Sequence, residues 1–117
     1  MPINQHYIDY VLEQLEGIGT LRARRMFGGV GIYLDDIFFA LIADDILRFK
    51  VDESNRDGYI LAGMEPFRPY QDKTMTLQYY EVPIEVLEDR ETLADWARKA
   101  YRVGLKQKGT KSGNRIE

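Results

Sequence analysis

The chain contains no cysteine, one histidine and four prolines in 117 residues. Without cysteine there can be no disulfide, no thiolate metal site and no thiol nucleophile. With His6 as the lone imidazole, no cluster of histidines can hold a metal, and a Ser/His/Asp arrangement would have to run through that one residue. Long apolar runs are missing as well. The longest, Ile37 to Ala43, is far short of the roughly 20 residues that a membrane span needs. Met1 to Tyr10 is too polar for the core of a signal peptide. The dense blocks of like charge that mark nucleic-acid arms are also absent. These absences lead us to expect a soluble cytoplasmic protein with no membrane segment, no metal and no cofactor.

What remains is an ordinary globular mixture, 44% hydrophobic and 30% charged, of a length that suits one domain. The net charge of −3 is unevenly spread. Arg98, Lys99, Arg102, Lys106, Lys108, Lys111 and Arg115 face only Glu117 over the last twenty positions, a local +6 that leaves −9 for the rest. A basic end on an acidic body suits a nucleic-acid or acidic partner. It also suits the C-terminal end of a helix dipole or a solubilising tail, which is the reading we take.

Tyr7, Ile8, Val11, Leu12 and Leu15 recur at helical spacing, so residues 5–16 are predicted to form a helix capped by Asn4 and ended by Gly17 and Gly19. Three short aliphatic and aromatic runs follow, Val30 to Leu34, Ile37 to Ala43 and Ile46 to Val51. The pairs Asp35-Asp36 and Asp44-Asp45 separate them, each the length of a tight hairpin. A weaker helix is predicted over 54–62, with Ser54 as cap and Gly58 costing about 1 kcal/mol relative to alanine. Phe67 to Tyr70 and Thr74 to Val82 read as two further strands. A final helix after Asp89 carries Leu93, Trp96, Ala97, Ala100, Tyr101 and Leu105 on its apolar stripe. The predicted class is α+β, order α-β-β-β-α-β-β-α, with an antiparallel-rich sheet. Residues 1–108 are expected to fold as one domain and 109–117 to be a disordered basic tail. In the central strand, Ile37, Phe39 and Leu41 fall on one face and Phe38, Ala40 and Ile42 on the other. A sheet apolar on both sides needs cover on both, and a homodimer is the expected solution.

The stretch Arg25-Met26-Phe27-Gly28-Gly29-Val30-Gly31-Ile32-Tyr33 resembles the hallmark of the N-terminal domain of the TfoX/Sxy competence regulators. Phe39 to Ile42, Leu47 to Asp52, Gly63 with Pro66-Phe67, Tyr79 to Pro83 and Leu93 to Ala97 follow in the family's order, so the resemblance covers about residues 5–106. It implies a two-layer α/β sandwich similar to secretion-chaperone-like folds. It also implies a regulatory role in DNA-uptake competence, exercised with a protein partner such as a transcription activator. Two departures stand out. Asp36 occupies a turn position where the family often has glycine, and we do not expect here the second helical domain that longer members carry.

No catalytic site is expected. The run Gly28-Gly29-Val30-Gly31 is followed by a strand instead of a helix N-terminus, so it cannot cradle phosphate in the usual way. Met26, Phe27, Gly28, Gly29, Gly31 and Trp96 are read as structural. Arg22, Arg24 and Arg25 are the candidate contacts for a partner or anion, with Tyr80 as an exposed aromatic beside them. The alternative function is direct nucleic-acid binding by those arginines and the basic tail, which we do not favour.

Overall fold

The computed structural model describes the backbone of residues 4–26, 28–66 and 78–116, and side chains within these apart from Gln78 and 109–116. Helix α1 spans Gln5–Leu15. Asn4 caps it, its side-chain oxygen accepting from the Tyr7 amide. A single 3-10 turn, Glu16–Ile18, ends at Gly19. Four strands follow, β1 Leu21–Met26, β2 Gly29–Leu34, β3 Ile37–Ala43 and β4 Ile46–Val51, then α2 Arg56–Leu61, β5 Gln78–Glu81, α3 Ile84–Leu87 and α4 Arg90–Ile116. The strands make one antiparallel sheet in the order β1-β2-β3-β4-β5. The fold is α+β, as expected.

The element order differs from the sequence reading in two places. The arginine segment is itself a strand, β1. A short helix, α3, precedes α4. The predicted strand over 74–82 is seen as β5, Gln78–Glu81; its earlier residues, and the strand expected over Phe67 to Tyr70, lie outside the described residues. Helix α4 runs from Arg90 to Ile116.

Both aspartate pairs form hairpin turns. Asp35 and Asp36 have φ of 52° and 63°, and Asp44 and Asp45 have 53° and 60°. Left-handed backbone at both central positions is the type I′ turn, whose twist matches that of the flanking strands. Asp36 therefore adopts the conformation for which glycine is the usual choice. Where Ser54 was expected to cap α2, Asn55 stands instead and its side chain turns back. It accepts from the Asp52 amide and donates to the Lys50 carbonyl, closing the end of β4.

Helices α1 and α4 cover one face of the sheet. Ile8, Val11 and Leu15 from α1 and Leu93, Ala97 and Ala100 from α4 meet Val30, Ile32, Phe39, Ala40, Ile42, Leu47, Phe49 and Val51. Burying each large aliphatic group here contributes about 1.5–3 kcal/mol. Gln14 ties the layers: its amide donates to the Leu87 carbonyl at 2.9 Å and its oxygen accepts from Arg90 Nε at 3.0 Å.

A β-bulge changes which residues of β3 face the helices. Ile32 pairs with Ala40 but Tyr33 pairs with Phe38, so Phe39 is the extra residue. Phe39 and Ala40 are both fully buried. The helix-covered face of β3 is thus Ile37, Phe39, Ala40 and Ile42, while Phe38 and Leu41 are half-buried on the other. This corrects the expected alternation and leaves less apolar surface on the second face than the argument for a dimer assumed.

Asp52 fastens α4 to the end of β4. Lys106 Nζ lies 2.9 Å from its carboxylate, and Ser54 donates to it through both amide and hydroxyl. Burial alone would raise this carboxyl, but the hydrogen bonds from Ser54 and Lys106 outweigh it and hold it below its ordinary 3.8. A depressed native value means that the contact stabilises the fold above 3.8 and is lost as the pH falls through the lower native value. The melting temperature of Asp52→Asn should therefore fall less steeply than that of the native chain below about pH 4. Parallel acid profiles would remove Asp52 from this role.

Candidate interaction surface

Strand β1 is an edge of the sheet, and its burial pattern is exposed throughout except at its half-buried ends. The sequence LRARRM has little to bury. It is held as a strand by pairing along its whole length with the buried strand β2, from Leu21↔Leu34 to Met26↔Gly29. Alternation along the strand separates the three arginines. Arg22 and Arg24, opposite Tyr33 and Gly31, lie on the face away from the helices. Arg25, opposite Val30, lies on the helix side.

Arg22 Nη1 meets Asp36 Oδ1 at 2.9 Å, with the side chains 65% and 72% exposed, so the pair contributes at most about 1 kcal/mol. The Arg24 guanidinium sits 5.9 Å from the centre of the Tyr33 ring. Tyr33 begins an aromatic row across the second face: Tyr33 to Phe38 is 5.3 Å between ring centres and Phe38 to Tyr79 is 5.9 Å. Lys50 Nζ lies 4.9 Å from the Phe38 ring centre and donates to Gln107 Oε1 at 2.9 Å. Burial and the nearby Tyr33 push the Tyr79 hydroxyl up to about 12.

Tyr80 does not belong to this surface. It pairs with Phe49, which turns it to the helix-covered face, and it is 3% exposed with its ring 5.5 Å from Tyr59. Its neighbour Tyr79 is the half-buried tyrosine beside the cations. The register that placed Tyr79 and Tyr33 in one row was not readable from β5 alone, whereas the two-residue hairpin between β1 and β2 would have paired Arg22 with Tyr33.

The glycine motif is structural in geometry. Gly28 has φ of +78° in the connection between β1 and β2, and a Cβ on Gly29 would lie 2.5 Å from the Ile42 carbonyl oxygen. Gly31 leaves room for the Met26 side chain and the Phe38 ring. Phe27 lies outside the described residues. Trp96 is half-buried at the border of the core and packs on α2. Its ring is 4.7 Å from Tyr59 and touches the open side of Gly58.

Trp96 and Tyr59 border an open pocket of about 200 Å³ between α2 and α4, with Ser54, Asp57 and Lys99 at its rim. The Tyr59 hydroxyl is buried with no hydrogen-bond partner among the described residues, and burial raises its pKa. Removing an unsatisfied buried hydroxyl should not cost stability. We expect Tyr59→Phe to match the native chain or exceed it by up to about 1 kcal/mol in denaturant titration. A loss of that size would mean that the hydroxyl is bonded.

Among the described residues, no group of three or more His, Cys, Asp or Glu could hold a metal ion, and no helix is long and apolar enough to cross a membrane. His6 is exposed on α1. Among the described residues, the surface offers cations, aromatic rings and a strand edge with no neighbour beyond it.

The model of the TfoX N-terminal domain family matches residues 13–103. Protein Sxy of Escherichia coli (strain K12) is 26% identical over 102 residues, which are 86% of this chain and 48% of that protein. The chain thus spans about half the length of that curated relative. Since the family match takes in α4 as far as Val103, all five strands and well over half of the chain, this protein belongs to the TfoX N-terminal domain family.

Proposed function

We propose that the protein is a non-catalytic regulatory module of the cytoplasm that acts through protein contacts in the control of DNA-uptake competence. The family match over residues 13–103 carries this reading. The similarity to Protein Sxy supports it, and a transcription activator is the partner that the family resemblance implies.

Direct nucleic-acid binding through Arg22, Arg24 and Arg25 has weaker support. These arginines point to two faces of β1, and Arg22 is engaged by Asp36. We expect only weak duplex-DNA binding at low salt, and a strong complex near physiological ionic strength would overturn the ranking. The decisive experiment compares transcripts in the native cell with and without the gene, and again after its restoration. Restored expression of DNA-uptake genes is the expected result. Unchanged transcripts for those genes would refute the reading.

A further inference from the structure

We propose that the free edge of β1 receives an extended acidic segment of a partner protein, which joins the sheet as a sixth strand. This rests on the protein-contact reading and adds the chemistry of the partner.

The register shows which backbone groups are free. The type I′ turn at Asp35-Asp36 closes on the pair Leu34↔Ile37, and in an antiparallel ladder successive residues bond to opposite sides. The bulge lies in β3, so the alternation along β2 is unbroken. Leu34, Ile32 and Val30 therefore bond towards β3, and Tyr33, Gly31 and Gly29 towards β1. Their partners Arg22, Arg24 and Met26 point inward. The N–H and C=O groups of Leu21, Ala23 and Arg25 consequently point out of the sheet. Among the described residues no strand lies beyond them. Nor does β1 carry the proline or bulge with which edges are often blunted.

Charge decides what can occupy this edge. An incoming strand places alternate side chains beside Arg22 and Arg24, and acidic groups there would meet both guanidiniums. Asp36 already shows that Arg22 takes a carboxylate, in an exposed and exchangeable pair. A second copy of β1 fits badly. A two-fold pairing is antiparallel, and three registers bond through at least two of Leu21, Ala23 and Arg25. Centred on Ala23, it sets Arg22 against Arg24 of the other copy. Centred on Arg22 or on Arg24, it sets that arginine against itself. Each register opposes like charges. The edge thus disfavours a second copy and favours an acidic strand, as β-augmentation by a partner requires.

The test is amide exchange and NMR titration of the full chain with a capped heptapeptide of alternating glutamate and valine. The control is a peptide of the same composition with its glutamates contiguous. We expect exchange at Ala23 and Arg25 to slow about ten-fold at saturation, and the control to bind at least about ten-fold more weakly. Arg22→Glu combined with Arg24→Glu should lower affinity by about ten-fold or more. Ala23→Pro leaves the charge unchanged and removes only an outward N–H, which edge strands tolerate, and it should abolish binding. Should Ala23→Pro fail to fold, the exchange data and the charge variant still decide. Equal binding of the two peptides, perturbation away from β1, or unprotected amides at Ala23 and Arg25 would overturn the proposal. If the peptide fails while the transcript response holds, the edge is wrong and the regulatory reading stands. If the peptide docks on β1 but transcripts do not respond, the edge stands and that reading falls.

Discussion

Phe39→Ala is expected to cost about 3–5 kcal/mol, the range for deleting a fully buried aromatic ring. Phe39 has no exposed surface, and its ring lies 5.9 Å from that of Phe49 under the helices. The informative comparison is Phe38→Ala. With a regular β3 fixed by Ala40 and Ile42, Phe38 would face the helices and Phe39 would not. The bulge reverses the two, so Phe38→Ala, at a half-buried site, should cost clearly less. Equilibrium urea titration of both variants measures the difference. Equal losses, or a larger loss for Phe38, would mean that the register does not shift at this point.

Gly104→Ala should destabilise the fold although alanine favours helix by about 1 kcal/mol. A Cβ at Gly104 would stand 2.7 Å from Ile37 Cγ2 and 2.8 Å from the Phe38 carbonyl oxygen. The carbonyl belongs to the sheet and cannot swing aside as a side-chain tip would. Overpacking of this kind costs about 1–3 kcal/mol, enough to offset the helix gain and leave a net loss. Gly17→Ala makes the contrast, since nothing lies within 4 Å of its Cβ position and the substitution should be neutral or slightly favourable. A more stable Gly104→Ala would show that α4 does not rest directly on the β3 backbone.

These two positions also show why part of the fold could be anticipated and part could not. Helix α1, its Asn4 cap, the aspartate turns and the strands β2 to β4 all announce themselves locally, because each follows from a periodicity or a turn preference. The buried stripe of α4 does so only in part. Leu93, Ala97 and Ala100 are buried as the periodicity predicts, Val103 and Gly104 join them, and the bulkier Trp96 and Leu105 stand to the side. Periodicity set Trp96 on that stripe, but it is half-buried and packs on Gly58 and Tyr59. Strand β1 escaped notice for a related reason. Its conformation comes from β2, not from its own arginine-rich pattern. The arginines were singled out from charge alone, but their division between two faces, and the removal of Tyr80 from their company, required the register.

A sheet whose spatial order repeats its chain order assembles by closing small loops, and the entropy lost in closing a loop grows with its length. The first four strands meet across connections of two residues each, so residues 21–51 can zip together before distant parts of the chain take part. The contact of Gln14 with Leu87 joins residues 73 positions apart and has to wait for that frame. Refolding on the order of milliseconds follows, with changes at the aspartate turns slowing its rate. Loosening of α1 against the end of the chain, as in Leu15→Ala, should instead leave the folding rate nearly unchanged and hasten unfolding.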